Sequence, residues 1–411
     1  MRGRRVFVTG IGLVSPHGED PTDVFDGLCR GESAIRMVRT GTPELGTDIL
    51  LATTDFEPGD RIKKLDLVFM ARAAQMAVVA TKNALEDADL LIEGSGPEQA
   101  SVRIGCALGG AEIIERSYKT YFQRNSRRGR PTSVPMIMAS GPASHISMQL
   151  GIHGPAHTYS IACASSSVAI GEAFRSIRDG YRDVVIAGGA EAMLNDGSVA
   201  AWERIGVLAT ERKDGAQLSC RPFDLERTGL VLGEGAAILI LESEQRVSER
   251  GAKTVAEIVG FGASSDAYKL TEPSVDGQAQ AVRNALEDAG LPPNRVGYIN
   301  AHATGTPAGD PIEIEAVKRV FGSAAQDVAI SSTKSMHGHL VGASGALECA
   351  VTALALREQR IPPTAHLTLS DPMCDLDCVA GVGRDVQDLE VALSNSFAFG
   401  GSNATLVLRR A

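Results

Sequence analysis

Residues 161–173 read Ile-Ala-Cys-Ala-Ser-Ser-Ser-Val-Ala-Ile-Gly-Glu-Ala. An apolar stretch ends at Ile161, and a run with helical spacing follows over Ser165–Arg178. This is a strand feeding a helix, with Cys163 at the junction. A thiol there faces the unpaired N–H groups and the positive dipole end of a helix, both of which favour thiolate. The neighbouring alanines and serines leave room for a substrate. A lone cysteine is more often a buried structural thiol, so the rest of the chain must decide.

Outward from this segment, strand and helix patterns alternate. Apolar runs predict strands at Arg5–Thr9, Ser101–Leu108, Asp183–Ala190, Val231–Leu241, Val255–Gly262, Val296–Ala301 and Ala404–Leu408. Helical spacing covers Leu65–Ala88, Gln278–Ala289, Pro311–Val320 and Leu340–Arg357. The alternation implies an α/β protein with buried, largely parallel sheets. A faint internal repeat is visible. The strand at Val328–Ser331 leads to Gly338-His339-Leu340-Val341-Gly342-Ala343-Ser344-Gly345 and a second helix, as Ile161 leads to Cys163. Two such halves facing each other would pair Cys163 with His339 at opposed helix starts.

Composition narrows the function. The 411 residues are 44% hydrophobic and 22% charged, enough for a large core. A net charge of -10 argues against general attraction to nucleic acid. No stretch has the roughly 18 apolar residues of a membrane span. The N-terminal MRGRRVFVTGIGLVSPHG is broken by Gly10, Gly12 and Pro16, so it reads as a first strand and not as a signal peptide. Seven scattered cysteines suit reduced thiols in a cytoplasm. Gly10-Ile11-Gly12 lacks the third glycine of a dinucleotide fingerprint, and no phosphate loop or Gly-x-Ser-x-Gly elbow is present.

Three further segments can carry chemistry. Asn300–Asp310 (NAHATGTPAGD) puts His302, Thr304 and Thr306 at a strand end, with hydroxyls suited to an extended amide-bearing ligand. Ser331–His339 places Lys334 five residues before His339, and a nearby ammonium biases a histidine toward its neutral, hydrogen-bond-donating form. Asn395–Asn403 (NSFAFGGSN) reads as a loop with free N–H groups for an oxyanion and Phe399 as a movable gate. His337 and His339 form a His-x-His pair, but no supporting carboxylate cluster accompanies it. Cys374 and Cys378 lack zinc spacing. No metal site is expected.

Taken together, VTGIGLVSPHG, IACASSSVAIGEA, VVIAGGAEAM, RPFDLERTGLVLGEGAAILILE, NAHATGTPAGD, KSMHGHLVGASGALE and NSFAFGGSNATLVL resemble the β-ketoacyl-acyl carrier protein synthases, the elongating ketosynthases of type II fatty acid and polyketide systems. The resemblance runs from end to end. It implies a thiolase-like fold of two pseudo-symmetric halves in a five-layered αβαβα body, with residues 1–250 carrying the nucleophile and 251–411 the two histidines. It implies that Cys163 takes an acyl chain as a thioester. His302 and His339 would hold a malonyl thioester as it loses carbon dioxide. The N–H groups of Cys163 and Phe399 would form the oxyanion hole, and Lys334 with Glu348 would order the histidines. Thr304 and Thr306 would bind the pantetheine arm, and Leu108 would line the acyl pocket. The resemblance further implies no cofactor, an acidic acyl carrier protein as partner, and a homodimer or a heterodimer with a chain-length factor. Lys63, Lys64, Arg204 and Arg212 are candidates for carrier docking, with Arg127 and Arg128 as additions.

Ala303, His337 and Ala398 depart from the common pattern. They leave room for a specialised pathway, such as aryl polyene, type II polyketide or lipochitooligosaccharide synthesis. Cys163 argues against a non-catalytic chain-length factor. The two histidines argue against a thiolase, which pairs a second cysteine with one histidine. A hydrolase metal site on His302, His337 and His339 has little support.

Overall fold

The architecture is carried by ten strands. A computed structural model describes residues 3–39, 48–123 and 129–411. The strands are β1 (Val6–Val14), β2 (Ser101–Gly105), β3 (Ala156–Tyr159), β4 (Val184–Glu191) and β5 (Gly235–Ser243), then β6 (Ala256–Ser265), β7 (Tyr298–Asn300), β8 (Ala329–Ser331), β9 (Val391–Ala398) and β10 (Ser402–Arg410). They lie side by side in the order β8-β7-β9-β10-β6-β1-β5-β4-β2-β3. The first five strands and the last five repeat one order, mirrored about the short β1/β6 pairing of Val6–Val8 with Ala256–Ile258.

Helices fill the layers. α1 (Arg72–Asp87) and α2 (Gly141–Leu150) cover the outer face of the first sheet; α5 (Val275–Ala289) and α6 (Gly309–Phe321) cover that of the second. Between the sheets lie α3 (Ser165–Arg178) and α7 (Ser344–Glu358), each touching strands of both halves and each other. A seventh helix, α4 (Asp196–Ile205), lies in the long excursion between β4 and β5. The result is the expected five-layered αβαβα body.

The sequence explains these positions. β1, β4, β5 and β9 are buried along their whole length, so they show no apolar/polar alternation, and in β9 even Ser394, Asn395 and Ser396 are buried. α7 is buried from Ser344 through Leu356, so its apolar residues surround it on all sides and it belongs in the middle layer. Small residues let the central helices approach the sheets. A Cβ on Gly105 would stand 2.2 Å from the Ser166 nitrogen, and one on Gly345 would stand 2.1 Å from Ser167 Oγ.

Four sequence expectations need correction. The sheets are mixed, not largely parallel: β2 runs parallel to β3 and β4, but β4/β5 and β5/β1 are antiparallel. The reason is that β5 returns after the excursion through α4, without a helical crossover. Leu65–Ala88 is not one helix, because extended backbone at Ala71 (ψ 159°) separates a short turn at Lys64–Leu67 from α1. Leu232–Gly233 belongs to a small three-stranded sheet with Arg36–Arg39 and Asp48–Ala52, and β5 begins only at Gly235. The helix expected from Leu340 starts at Ser344, because Val341 takes φ +45°. No described helix is long and apolar enough to cross a membrane.

Candidate active site

The turn before α3 is strained. Ala162 takes φ +43°, and Ser165 Oγ accepts from the Ile161 N–H at 2.8 Å while donating to the Ala162 carbonyl at 2.6 Å. A left-handed alanine costs energy that packing must hold in place. The turn delivers Cys163, 5% exposed, to the wall of a cavity of about 120 Å³. His302, His339, Thr304, Thr306 and Phe399 line the same cavity. Residues from both halves of the chain therefore meet there.

His339 Nε2 lies 3.0 Å from Cys163 Sγ, and its Nδ1 lies 2.8 Å from Ser344 Oγ, the first residue of α7. His302 faces His339 edge-on, with ring centroids 5.4 Å apart. Its backbone is fixed by Glu313 on α6, whose carboxylate accepts from the His302 N–H at 3.0 Å and the Ala303 N–H at 2.8 Å. Asn395 Nδ2 donates to the same carboxylate at 3.1 Å. Nδ1 of His302 is buried without a partner, so this imidazole keeps hydrogen-bonding capacity for a ligand.

Behind the histidines, Lys334 and Glu348 form a fully buried ion pair. Burial is the first cause that pulls both histidines well below the usual histidine range, and the Lys334 charge is the second. Both imidazoles are thus neutral near pH 7, and each has an N–H to offer a developing oxyanion. Burial also raises Glu348, against the pull of Lys334.

The cysteine corrects one expectation. Burial pushes the resting thiol up to about 12, although Lys334 and the backbone N–H groups of Phe399 and Cys163 act in the opposite sense. Desolvation of an anion outweighs the helix end here. Cys163 therefore rests as a thiol in contact with the His339 imidazole. The two N–H groups that favour the sulfur anion also suit an oxyanion on an acyl group bonded to it.

Phe399 sits in the β9–β10 hairpin loop, whose Gly400 and Gly401 take φ +86° and +73°, conformations that favour glycine. Its ring stacks on Trp202 of α4, with centroids 5.7 Å apart and planes at 24°. The loop is fastened from one side: Gly400 N–H donates to the Leu270 carbonyl at 2.8 Å, and Asn403 Nδ2 donates to Asp266 at 2.6 Å. Ala398 ends β9 and lines the cavity.

Other expected residues fall as follows. The Thr304 and Thr306 hydroxyls are 3.3 Å apart in the cavity wall. Leu108 does not line the cavity and is 46% exposed, because β2 ends at Gly105 and the chain leaves the sheet before Leu108. His337 points away from the reactive pair: its ring is held by Thr333 Oγ1 at 2.9 Å and the Gly338 carbonyl at 2.7 Å. The ligand atoms that do converge within 4.8 Å belong to Cys163, His302 and His339. That donor set suits a soft cation, but two of its atoms already contact each other. Lys63, Lys64 and Arg204 are exposed, and Arg204 shares α4 with Trp202. Arg212 is partly neutralised by Asp214 and Glu226. Arg127 and Arg128 lie outside the described residues. Sequence reasoning missed Glu313, Ser344 and Trp202. The single tryptophan was the one visible signal among them.

Comparison with known proteins agrees with this arrangement. Residues 3–246 match the family model of the beta-ketoacyl synthase N-terminal domain, and residues 255–368 match that of the C-terminal domain. The chain is 38% identical over 412 residues to the 3-oxoacyl-[acyl-carrier-protein] synthase 2 of Staphylococcus aureus, covering 100% of this chain and 99% of that protein. It is 41% identical over 407 residues to the nodulation protein E of a Rhizobium species, covering 99% of each. Among solved structures, the ishigamide ketosynthase/chain length factor superposes with a TM-score of 0.93 at 35% identity, over 100% of both chains. With a cysteine and two neutral histidines in one cavity wall and both family models matched, this chain belongs to the beta-ketoacyl synthase family.

Proposed function

We propose that the chain is a 3-oxoacyl-[acyl-carrier-protein] synthase that condenses a malonyl unit with an acyl chain held on Cys163, for fatty acid chain elongation. The observation that carries this reading is the contact of His339 Nε2 with Cys163 Sγ, with His302 facing it.

In the first half-reaction, the Cys163 sulfur attacks an acyl thioester of the carrier. The tetrahedral oxyanion is met by the N–H groups of Cys163 and Phe399. The carrier thiolate leaves and takes the proton given up by Cys163. In the second half-reaction, the malonyl thioester carbonyl lies between the N–H groups of His302 and His339. Its carboxylate departs as carbon dioxide, leaving its electron pair as an enolate. The enolate carbon attacks the acyl-Cys163 carbonyl, the same oxyanion hole is used, and the Cys163 thiolate leaves and takes up one proton from solvent. Burial, reinforced by Lys334 paired with Glu348, keeps the histidines neutral. Thr304 and Thr306 hold the carrier's amide-bearing arm. No step draws on a metal or cofactor.

We further propose that residues 1–250 and 251–411 are the two halves of the body, a division supported by the mirrored strand orders. A second subunit, identical or a chain-length factor, would sit against the open edge strand β3, which is exposed at Ala156 and His157. The Ala107 carbonyl beside Leu108 accepts from Ser160 Oγ, just past β3, at 3.1 Å. A partner on that edge would cover Leu108 and make it a wall of the acyl pocket. Lys63, Lys64 and Arg204 are our candidates for docking the acidic carrier, with Arg212 weakened by its two carboxylates. The free, buried state of all seven cysteines supports a cytoplasmic location. A specialised acyl chain is the second reading, supported by the nodulation relative.

The test is intact-protein mass after incubation with a panel of acyl-carrier proteins. Wild type is expected to gain one acyl group and Cys163→Ser none, and the best-loading chain identifies the pathway. Equal loading of both proteins would overturn the assignment of the nucleophile.

A further inference from the structure

The two central helices begin alike. Ala162 at φ +43° lies three residues before Ser165, and Val341 at φ +45° lies three residues before Ser344. Counted from these starts, the twin of Cys163 is Gly342, not His339. The loops that face the two turns also correspond. Ala107 lies two residues past the end of β2, as His302 lies two past the end of β7, and Glu191 ends β4 as Ala398 ends β9. The nucleophile site therefore has a twin, made from Gly342 of the second half with Ala107 and Glu191 of the first.

The twin site is filled by a carboxylate. Glu191 is 0% exposed. Its Oε2 accepts from the Ala107 N–H at 2.7 Å and the Gly342 N–H at 3.3 Å, and its Oε1 accepts from the Leu108 N–H at 3.2 Å. The Cys106 thiol lies 3.9 Å from Oε1. A Cβ on Gly342 would stand 2.6 Å from Oε2 and 2.7 Å from the Ala107 nitrogen, so the packing admits no side chain there. Glu313 grips His302 and Ala303 in the same manner in the other half, but it comes from α6 and not from a strand end.

Both segments that Glu191 holds lead to the reactive pair. Gly342 follows His339 by three residues. The Ala107 carbonyl accepts from Ser160 Oγ at 3.1 Å, and Ser160 precedes Cys163 by three residues. One carboxylate thus ties the His339 turn of the second half to the Cys163 turn of the first. We infer that Glu191 is a positioning residue that sets the placement of His339 against Cys163 by gripping Ala107 and Gly342 together.

This inference rests on the assignment of Cys163 and His339 to the two half-reactions, and the test separates the two. Glu191→Gln replaces one accepting oxygen by an NH₂ group where three N–H groups converge. In the full-length protein, acyl loading of Cys163 is read by intact mass, and malonyl decarboxylation by carbon dioxide release from acyl-loaded enzyme. The variant is expected to load within about threefold of wild type and to keep its KM for malonyl-carrier within about threefold. Its kcat for condensation should fall about 10- to 100-fold, the scale of a misplaced catalytic group. Glu191→Asp should recover part of that loss, since it restores the accepting oxygens. Ser160→Ala, at an exposed position, cuts the link to Ala107 without touching the core, so it serves if Glu191→Gln does not fold. It should lower condensation about threefold or more while sparing loading. Equal loss of both steps, or no loss of condensation in either variant, would overturn the inference. A wild type that loads no acyl chain would instead overturn the proposed function.

Discussion

At Ala162 and again at Val341, the chain turns through positive φ three residues before a buried helix, yet only the first turn presents a reactive side chain. Cys163 opens onto a cavity and touches His339. Gly342 points its N–H at a buried carboxylate and has no room for a Cβ. A duplicated scaffold has been divided between chemistry and support. The strain at each turn is similar, so strain by itself does not mark a reactive site. What differs is the neighbouring group: an imidazole 3.0 Å from the sulfur in one turn, and a fixed acceptor of three N–H groups in the other. The histidines are contributed by the supporting half, so neither half is complete alone.

A pair of alanine substitutions sharpens this comparison most strongly. Gly342→Ala forces a methyl into contact with Glu191 and Ala107, and overpacking of this kind costs about 1–3 kcal/mol. Cys163→Ala removes one sulfur atom beside a cavity and should cost about 1 kcal/mol or less. Equilibrium denaturation of the two variants checks the order. A Gly342→Ala protein as stable as Cys163→Ala would show that the second turn is not the packed twin described above.

A smaller effect is expected at Trp202, which touches the first turn's gate and has no part in the second. Trp202→Leu removes the stack on Phe399. Aromatic pairs of this kind are worth about 0.5–1.5 kcal/mol, so the preference among acyl chains in loading should change about two- to tenfold. Because this is the only tryptophan, its fluorescence in wild type should change when Cys163 is acylated. An unchanged chain preference together with unchanged fluorescence would mean that Phe399 does not move against Trp202.

The sequence made the nucleophile turn legible because strand, small residues and helix lie consecutively, and α3 begins and ends where its spacing predicted. Lys334 and Glu348 were paired only through the resemblance, since no local pattern joins residues fourteen positions apart on different elements. The repeat pattern brings Cys163 and His339 together, as the structure shows, but it does not reveal that the turn matching that of Cys163 falls at Gly342, because the left-handed turn at Val341 leaves no compositional trace. Glu191 and Glu313 are isolated carboxylates in their own segments, and their roles arise from N–H groups brought in by other strands. The Cys163 thiol was expected to ionise readily. Burial, which local sequence does not reveal, reverses that direction. Leu108 lies outside the cavity because the chain leaves the sheet after Gly105, a departure the apolar run over Ser101–Leu108 does not reveal.

The central claim is that the two halves divide the reaction, with loading on Cys163 and decarboxylation governed by the histidines. The most direct test is His339→Ala, with acyl loading followed by intact mass and carbon dioxide release followed from malonyl-carrier in the same sample. The account predicts that acyl-Cys163 still accumulates while carbon dioxide release falls about 100-fold or more, as for loss of an oxyanion donor. Carbon dioxide release close to wild type, or loss of both steps in equal measure, would contradict it.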